Sequence, residues 1–352
     1  MAHEKIRYNG RELKLKKAIK NPKFESNNVI VSNHFEYVDM WLQKNAPKGS
    51  KQKYEKARIY WNQSHEFYKI SRKLGKISSP LPIYYSILNA TKALLEIRSI
   101  KSYSPYHGLT GKDTGRKTSL ENEIVILKGK GVLPSLIEYY DFGIPTIRQY
   151  NLKQLLYNLP FVHRAYGHTY KNQTDLFIPI SKPFFLKSAA NKEAWVSFAI
   201  DKKMMNGFDK KKIPKGFEFD LSTDYKNHIR LKKRFRSSRI LKKSEFNSFT
   251  NYFCKVRKQF VYIASNEPLW YLKRTGITRS IDNLPSPVII FMIAHRLSEL
   301  SRYSPDLLHS HYKSGHNWLL VEFLNNCLDQ FIDQVCCDIC GQDLHPPSSR
   351  PK

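Results

Sequence analysis

Two proline-led apolar helices, set far apart in the chain, limit what it can fold into. "SPLPIYYSILNATKALLEIR" (79–98) and "PSPVIIFMIAHRLSELSRY" (285–303) both open on Ser and Pro and then run apolar. Proline is tolerated in a first turn because its missing N–H would have no intrahelical partner there. In the first segment Tyr84, Ile87, Leu88, Thr91, Leu94 and Leu95 recur at spacings of three and four, which makes one apolar stripe. Such a stripe has to be covered by another element. Helical periodicity also lies at 51–76, where Tyr54, Ala57, Trp61, Ser64 and Tyr68 share a face, and at roughly 305–334. Between them the period changes to that of strands, in "DLFIPISKPFFL", "AWVSFAI" and "FVYIA". The expectation is a mainly α protein: a helical bundle built from residues 51–175 and 286–335, with a central β-containing insertion at 176–285, α+β in class. Residues 1–50 form an N-terminal segment and 336–352 a cysteine-containing tail.

Charge narrows the function classes. The chain has 352 residues, with 59 Lys and Arg against 30 Asp and Glu, a net charge of +29. An excess of that size favours phosphate backbones, through counterion release and steering. A lysine-rich surface with no partner would give the same count. The expected partner is nucleic acid, RNA rather than DNA, or a phosphate-bearing ligand. No run of about 18 apolar residues is present, so no membrane span is expected. The charged start "MAHEKIRYNGRELKLKKAIK" lacks the apolar stretch of a secretory signal, which points to the cytoplasm. Five cysteines, three of them close together near the C-terminus, do not resemble a disulfide framework.

Three segments in order, "SPLPIYYSILNATKALL" followed by "HGL", then "LKQLLYNLPFVHRAY", then "LPSPVIIFMIAHRLSELSRYSPDLL", resemble the YaaC-like family of bacterial proteins. That resemblance spans most of residues 55–330 and implies an architecture with no assigned activity. "YYSILNATKALLEIRSIKSYSPYHGL" is also similar to a core helix of HEPN domains, with its trailing histidine loop. The HEPN resemblance implies a HEPN-like helical bundle. Many such domains act, often as dimers, as metal-independent ribonucleases through an Arg-x4–6-His motif. Others only bind nucleotides, RNA or a protein partner. On this reading the protein is a homodimer or works with a partner encoded nearby, in a stress or phage-defence system.

The matching motif here is "RYSPDLLH", Arg302 to His309. Histidine can move the proton of a 2′-hydroxyl, and arginine can hold the charge that develops on phosphate. The chain departs from the pattern in two ways. Tyr303 follows the arginine, and Pro305 splits the motif between two helices. Arg302 is then expected either to pin a helix junction through an ion pair, to bind an anion beside a helix start, or to act in cleavage. His107 in "YSPYHGL" is the other catalytic candidate; a turn-capping role is its alternative.

The densest basic run, "KKRFRSSRILKK", supplies Lys232, Lys233, Arg234, Arg236 and Arg239 as candidate phosphate contacts, together with Arg302. A solvated hairpin would look the same. "VCCDICGQDLH" places Cys337 and Cys340 as half of a zinc knuckle, with Cys336 and His345 nearby. Structural zinc wants four ligands, so the alternatives are helix-end packing or a redox pair. No other cofactor is expected.

Overall fold

The computed structural model describes residues 3–25, 28–100, 104–115, 118–143, 145–188, 192–200, 213–222, 228–236 and 246–347. Ten α-helices lie among them: α1 (His34–Lys44), α2 (Lys51–Ser71), α3 (Pro80–Arg98), α4 (Val132–Tyr139), α5 (Leu152–Tyr157), α6 (His163–Thr169), α7 (Phe246–Arg257), α8 (Ser286–Tyr303), α9 (Pro305–Lys313) and α10 (Asn317–Cys340). Helix α3 packs on α2, α8 and α10, so helices from both ends of the sequence share one core. Tyr84, Ile87, Leu94 and Leu95 are buried there beside Ile289, Ile293, Phe323 and Phe331. The stripe read in the sequence is the face that packs.

One expected helix is two. Ser314 is extended at φ −90°, ψ 179°, and its hydroxyl donates to the His311 carbonyl. A serine hydroxyl that competes for backbone partners, followed by Gly315, ends α9 and lets α10 start afresh. Helix α10 stops at Gly341, whose φ of +72° suits glycine. A Cβ there would sit 2.7 Å from the Asn21 carbonyl oxygen. Arg98 also caps this end, donating to the Asp338 and Ile339 carbonyls.

The mainly α expectation is corrected by the strands. Numbered along the chain they are β1 (Glu4–Lys5), β2 (Arg7–Tyr8), β3 (Arg11–Glu12), β4 (Val29–Ile30), β5 (Leu109–Asp113), β6 (Glu123–Leu127), β7 (Gln149–Asn151), β8 (Phe177–Ser188), β9 (Glu193–Ile200), β10 (Phe217–Phe219), β11 (His228–Leu231), β12 (Phe235–Arg236), β13 (Phe260–Ile263), β14 (Leu269–Lys273) and β15 (Leu344–His345). Eight of them form one antiparallel sheet, in the order β10-β11-β9-β8-β14-β13, with β1 on β8 and β12 on β9. It curls into a half-barrel, and the protein is α/β rather than a helical bundle with an insertion. The sheet has its own core. Phe185, Val196, Phe198 and Phe260 pack against Phe249, Phe253 and Val256 of α7. Every residue of β9 is buried, which fits its continuous apolar run. A second sheet, β5-β6-β7, lies against α8.

The two cores meet along the N-terminal strap, residues 16–20. Asp338 on α10 accepts from the Ile19 and Lys20 amides, the Tyr140 hydroxyl and the Gln334 amide. Burial holds the Asp338 carboxyl above its usual range against those donors. Lys17 Nζ, fully buried, reaches Asp333 at 2.9 Å and the Leu344 carbonyl at 2.8 Å. Burial alone would push Lys17 down; the Asp333 carboxylate overcomes it and raises the ammonium. Arg257, at the end of α7, donates to the Lys16, Lys17 and Phe260 carbonyls and to Gln334. The strap thus ties the sheet's helix to α10. Among the described residues no helix is long and apolar enough to cross a membrane.

Candidate functional site

A hollow opens at this seam. Its outer bowl, about 610 Å³, is bounded by the β10–β11 edge of the sheet, the end of α7, the end of β14 and the turn after Tyr140. Six lysines line it: Lys215, Lys232, Lys233, Lys255, Lys258 and Lys273. The acids on its wall are Asp141 and Asp282. A narrow inner crevice of about 60 Å³ continues from it, walled by Phe142, Phe161, Tyr262, Pro285 and Gln334. Phe142, Lys258, Lys273 and Asp282 line both parts.

The lysines differ in what they touch. Lys258 Nζ is held by the Asp141 carboxylate at 3.1 Å and carbonyl at 2.6 Å, and lies over the Phe142 ring. The Asp141 carboxyl is drawn down by that hydrogen bond. Lys273 Nζ donates to the Ile281 carbonyl at 2.6 Å. Burial lowers its pKa to about 8, with Asp282 opposing. Lys215, Lys232, Lys233 and Lys255 are exposed and have no ion-pair partner among the described residues. The walls also offer hydrogen-bonding groups on Thr275, Gln259 and Asn283, while Tyr252 is buried against Phe235 and Phe249 behind them.

Of the basic residues named from sequence, Lys232 and Lys233 reach this bowl. Arg234 instead pairs with Glu193 at 2.5 Å and Glu218 at 3.4 Å, and Arg236 with Glu193 at 3.1 Å. Both arginines clamp the strands beside the bowl. Arg239 lies outside the described residues. Lys215, Lys255, Lys258 and Lys273 were not among the sequence candidates. They come from separate elements, and only the density of lysine signalled them.

The catalytic candidates lie elsewhere, on the helical core. The first two N–H groups of α4 donate to the Tyr106 and His107 carbonyls, which fixes the His107 loop. The His107 ring then meets the Tyr84 hydroxyl through Nδ1 and lies 5.9 Å from the His295 ring. His295, 4% exposed, has an Nδ1 without a hydrogen bond, 3.7 Å from Glu299. Burial, with the nearby positive groups His107, Arg302 and Arg296, pushes His295 down to about 3. Burial and the charges of Lys92 and Arg302 also lower His107. Arg302 is exposed at the end of α8, its guanidinium 4.7 Å from the Tyr303 ring, with no carboxylate partner among the described residues. The expected ion pair at that junction belongs instead to Arg296, which binds Glu123 at 2.7 Å; His311 meets the same carboxylate at 3.0 Å. Glu123, buried on β6, was not found from the sequence, although the short β-branched run "EIVIL" suits a strand. His309 is exposed on α9, across the helix break at Ser304, and shares no contact with Arg302 or His107.

The zinc expectation is not met by the cysteines' surroundings. Cys337 and Cys340 are buried in the last turns of α10, and burial raises both thiols. Among the described residues no group of three His, Cys, Asp or Glu side chains is placed to hold a metal. The motif is helix-end packing, with Asp338 between the two thiols serving the strap.

The model of the YaaC-like protein family matches residues 24–339. No curated protein and no solved structure matches. The match covers most of the chain, including both sets of helices and every strand of the large sheet except β1, so this chain belongs to the YaaC-like family.

Proposed function

We propose that this YaaC-like protein binds a phosphate-bearing ligand, of about mononucleotide size, in the lysine-lined bowl. One observation carries the reading. Lys215, Lys232, Lys233 and Lys255 face a single hollow with no carboxylate at ion-pair distance among the described residues, Lys255 feeling Asp141 only at longer range. Like charges gathered in a concave wall repel, and an anion relieves that repulsion. On the neighbouring strands the chain supplies Glu193 and Glu218 to neutralise Arg234 and Arg236. Carboxylates are thus present where strands are clamped and sparse where the bowl opens. A bowl of about 610 Å³ lies within the range of small-ligand sites, roughly 300–1,000 Å³. Phosphate would take the lysines, and Thr275, Gln259 and Asn283 offer hydrogen bonds to the rest of the ligand. A nucleotide of single-stranded RNA satisfies the same chemistry, and the +29 charge would guide the rest of the strand. The five cysteines are all free, which suits a reducing cytoplasm.

Calorimetric titration with pyrophosphate, AMP and a short single-stranded RNA tests this. Binding is expected at low salt and should weaken as NaCl rises. Lys232→Glu and Lys255→Glu should each cost roughly tenfold or more, since a charge-assisted hydrogen bond contributes about 1.5–3 kcal/mol. Absence of binding by all three probes at low salt, or binding untouched by the double reversal, overturns the reading.

A second reading is favoured by the meeting of Tyr84, His107, His295 and Arg302 at one corner of the helical core. It is metal-independent RNA cleavage with His107, rather than His309, as the proton carrier and Arg302 as the phosphate anchor. Cleavage of labelled RNA in EDTA, lost in His107→Ala and retained in His309→Ala, supports it. RNA left intact at micromolar protein removes it.

A further inference from the structure

We propose that Lys273 forms an imine with a phosphate-bearing aldehyde or ketone held by the outer lysines, making the bowl a covalent-capture site for carbonyl phosphates. This rests on the phosphate-ligand reading above and names its substrate class.

The geometry places one amine differently from the other five. Lys273 closes β14, where it pairs with Phe177 of β8, so its backbone is fixed by the sheet. Its side chain lies where bowl and crevice join and lines both. On the outer side are the four unpaired lysines; on the inner side are Phe142, Phe161 and Tyr262. A molecule with phosphate at one end and a carbonyl at the other would reach from the first group to the second. Nζ is anchored by a hydrogen bond to the Ile281 carbonyl, and no carboxylate lies within ion-pair distance among the described residues. Lys258, its neighbour in both parts, is instead locked to Asp141. Lys273 is half-buried, with apolar walls on its inner side and Asp282 as its near charged neighbour; partial desolvation of this kind is one way a lysine becomes an amine nucleophile. Burial agrees: a pKa near 8 leaves about a tenth of the amine neutral at pH 7, against fewer than one part in a thousand for an ordinary lysine.

The step balances without an oxidant or reductant. The neutral amine gives its lone pair to the carbonyl carbon, and the carbonyl π pair moves to oxygen, which takes a proton. A carbinolamine results. The nitrogen gives up one proton and so regains a lone pair; a second protonation of the oxygen lets that pair expel it as water, and loss of the nitrogen's remaining proton leaves the imine. One amine and one carbonyl give one imine and one water.

The test uses the full chain with dihydroxyacetone phosphate, then sodium borohydride, intact mass and peptide mapping. Dihydroxyacetone, which lacks the phosphate, runs in parallel, and pyrophosphate serves as competitor. One adduct on Lys273 is expected, at least tenfold faster with the phosphate than without it and suppressed by pyrophosphate. Lys273→Arg and Lys273→Met should both lose the mapped adduct; circular dichroism confirms that they fold. Adducts spread over surface lysines, equal in the wild type and both variants, overturn the proposal. Pyrophosphate binding without any adduct overturns it too, and leaves the phosphate reading standing. If pyrophosphate, AMP and the single-stranded RNA all fail to bind at low salt, both fall.

Discussion

Replacing Arg257 with leucine should weaken the seam on which the bowl is built. The guanidinium is 2% exposed and serves four acceptors: the Lys16, Lys17 and Phe260 carbonyls and Gln334 Oε1, at 2.6–3.1 Å. Lys17 O keeps a second donor, Gln334 Nε2 at 3.0 Å, so three acceptors lose the arginine's protons outright. An orphaned buried acceptor costs about 1–3 kcal/mol, and three sum to roughly 3–9 kcal/mol. Part is returned, because leucine no longer asks the interior to solvate a charge. Removing one partner from a buried charged network leaves a net loss of about 3–5 kcal/mol. Domains of 150–250 residues lose roughly 2–4 °C per kcal/mol and longer chains lose less, so Tm should fall by at most about 6–10 °C and by more than about 2 °C. Arg257→Lys should lie between, since three ammonium protons cannot serve four acceptors. Differential scanning fluorimetry gives Tm, and hydrogen exchange on residues 16–20 gives the locus. A leucine variant that melts within 2 °C of the wild type, with strap protection unchanged, would refute this account of the seam.

His295 is held neutral, with its folded pKa near 3 against about 6.5 when unfolded, so the unfolded state binds the extra proton between those values. Stability from this residue is complete above about pH 6.5 and declines as pH falls towards 3. It should amount to about 2 kcal/mol lost at pH 5; urea melts of His295→Gln at pH 7 and pH 5 should show a pH dependence smaller by that amount. Gly108→Ala should cost at least about 2 kcal/mol, because φ is +84° and the new Cβ would meet the Pro134 ring; a variant of unchanged midpoint refutes it. Cys327, Cys336, Cys337 and Cys340 are buried while Cys254 is partly exposed. Ellman's reagent should therefore find at most one fast thiol in the native protein and five after denaturation, and EDTA should leave Tm unmoved.

Local pattern located the elements with real accuracy in some places. Residues 80–98 and 286–303 are helices at the expected bounds, because proline fixes their starts and an apolar stripe their length. The N-terminal segment of residues 1–50 holds β4 and α1. The pattern missed β5 and β6, whose alternation is short and interrupted by charge. It also underrated the sheet. Strand runs between 176 and 285 are visible in the sequence, but their union into one eight-stranded half-barrel depends on pairings between distant segments, such as β14 on β8. A strand's side chains show which face is apolar and not which strand lies beside it.

The amino-acid order by itself determined the two proline-led helices, the basic excess and the family, because propensity, periodicity and charge are local sums. Only the folded chain decided the site. Lys215, Lys255 and Lys273 share a hollow because a sheet edge, a helix end and a strand end are drawn together by Lys17 and Arg257. Whether a lysine is a solvated surface charge, half of an ion pair or a partly neutral amine depends on which walls and carboxylates surround it. Those neighbours come from remote segments, and their burial sets the dielectric in which the charge must live.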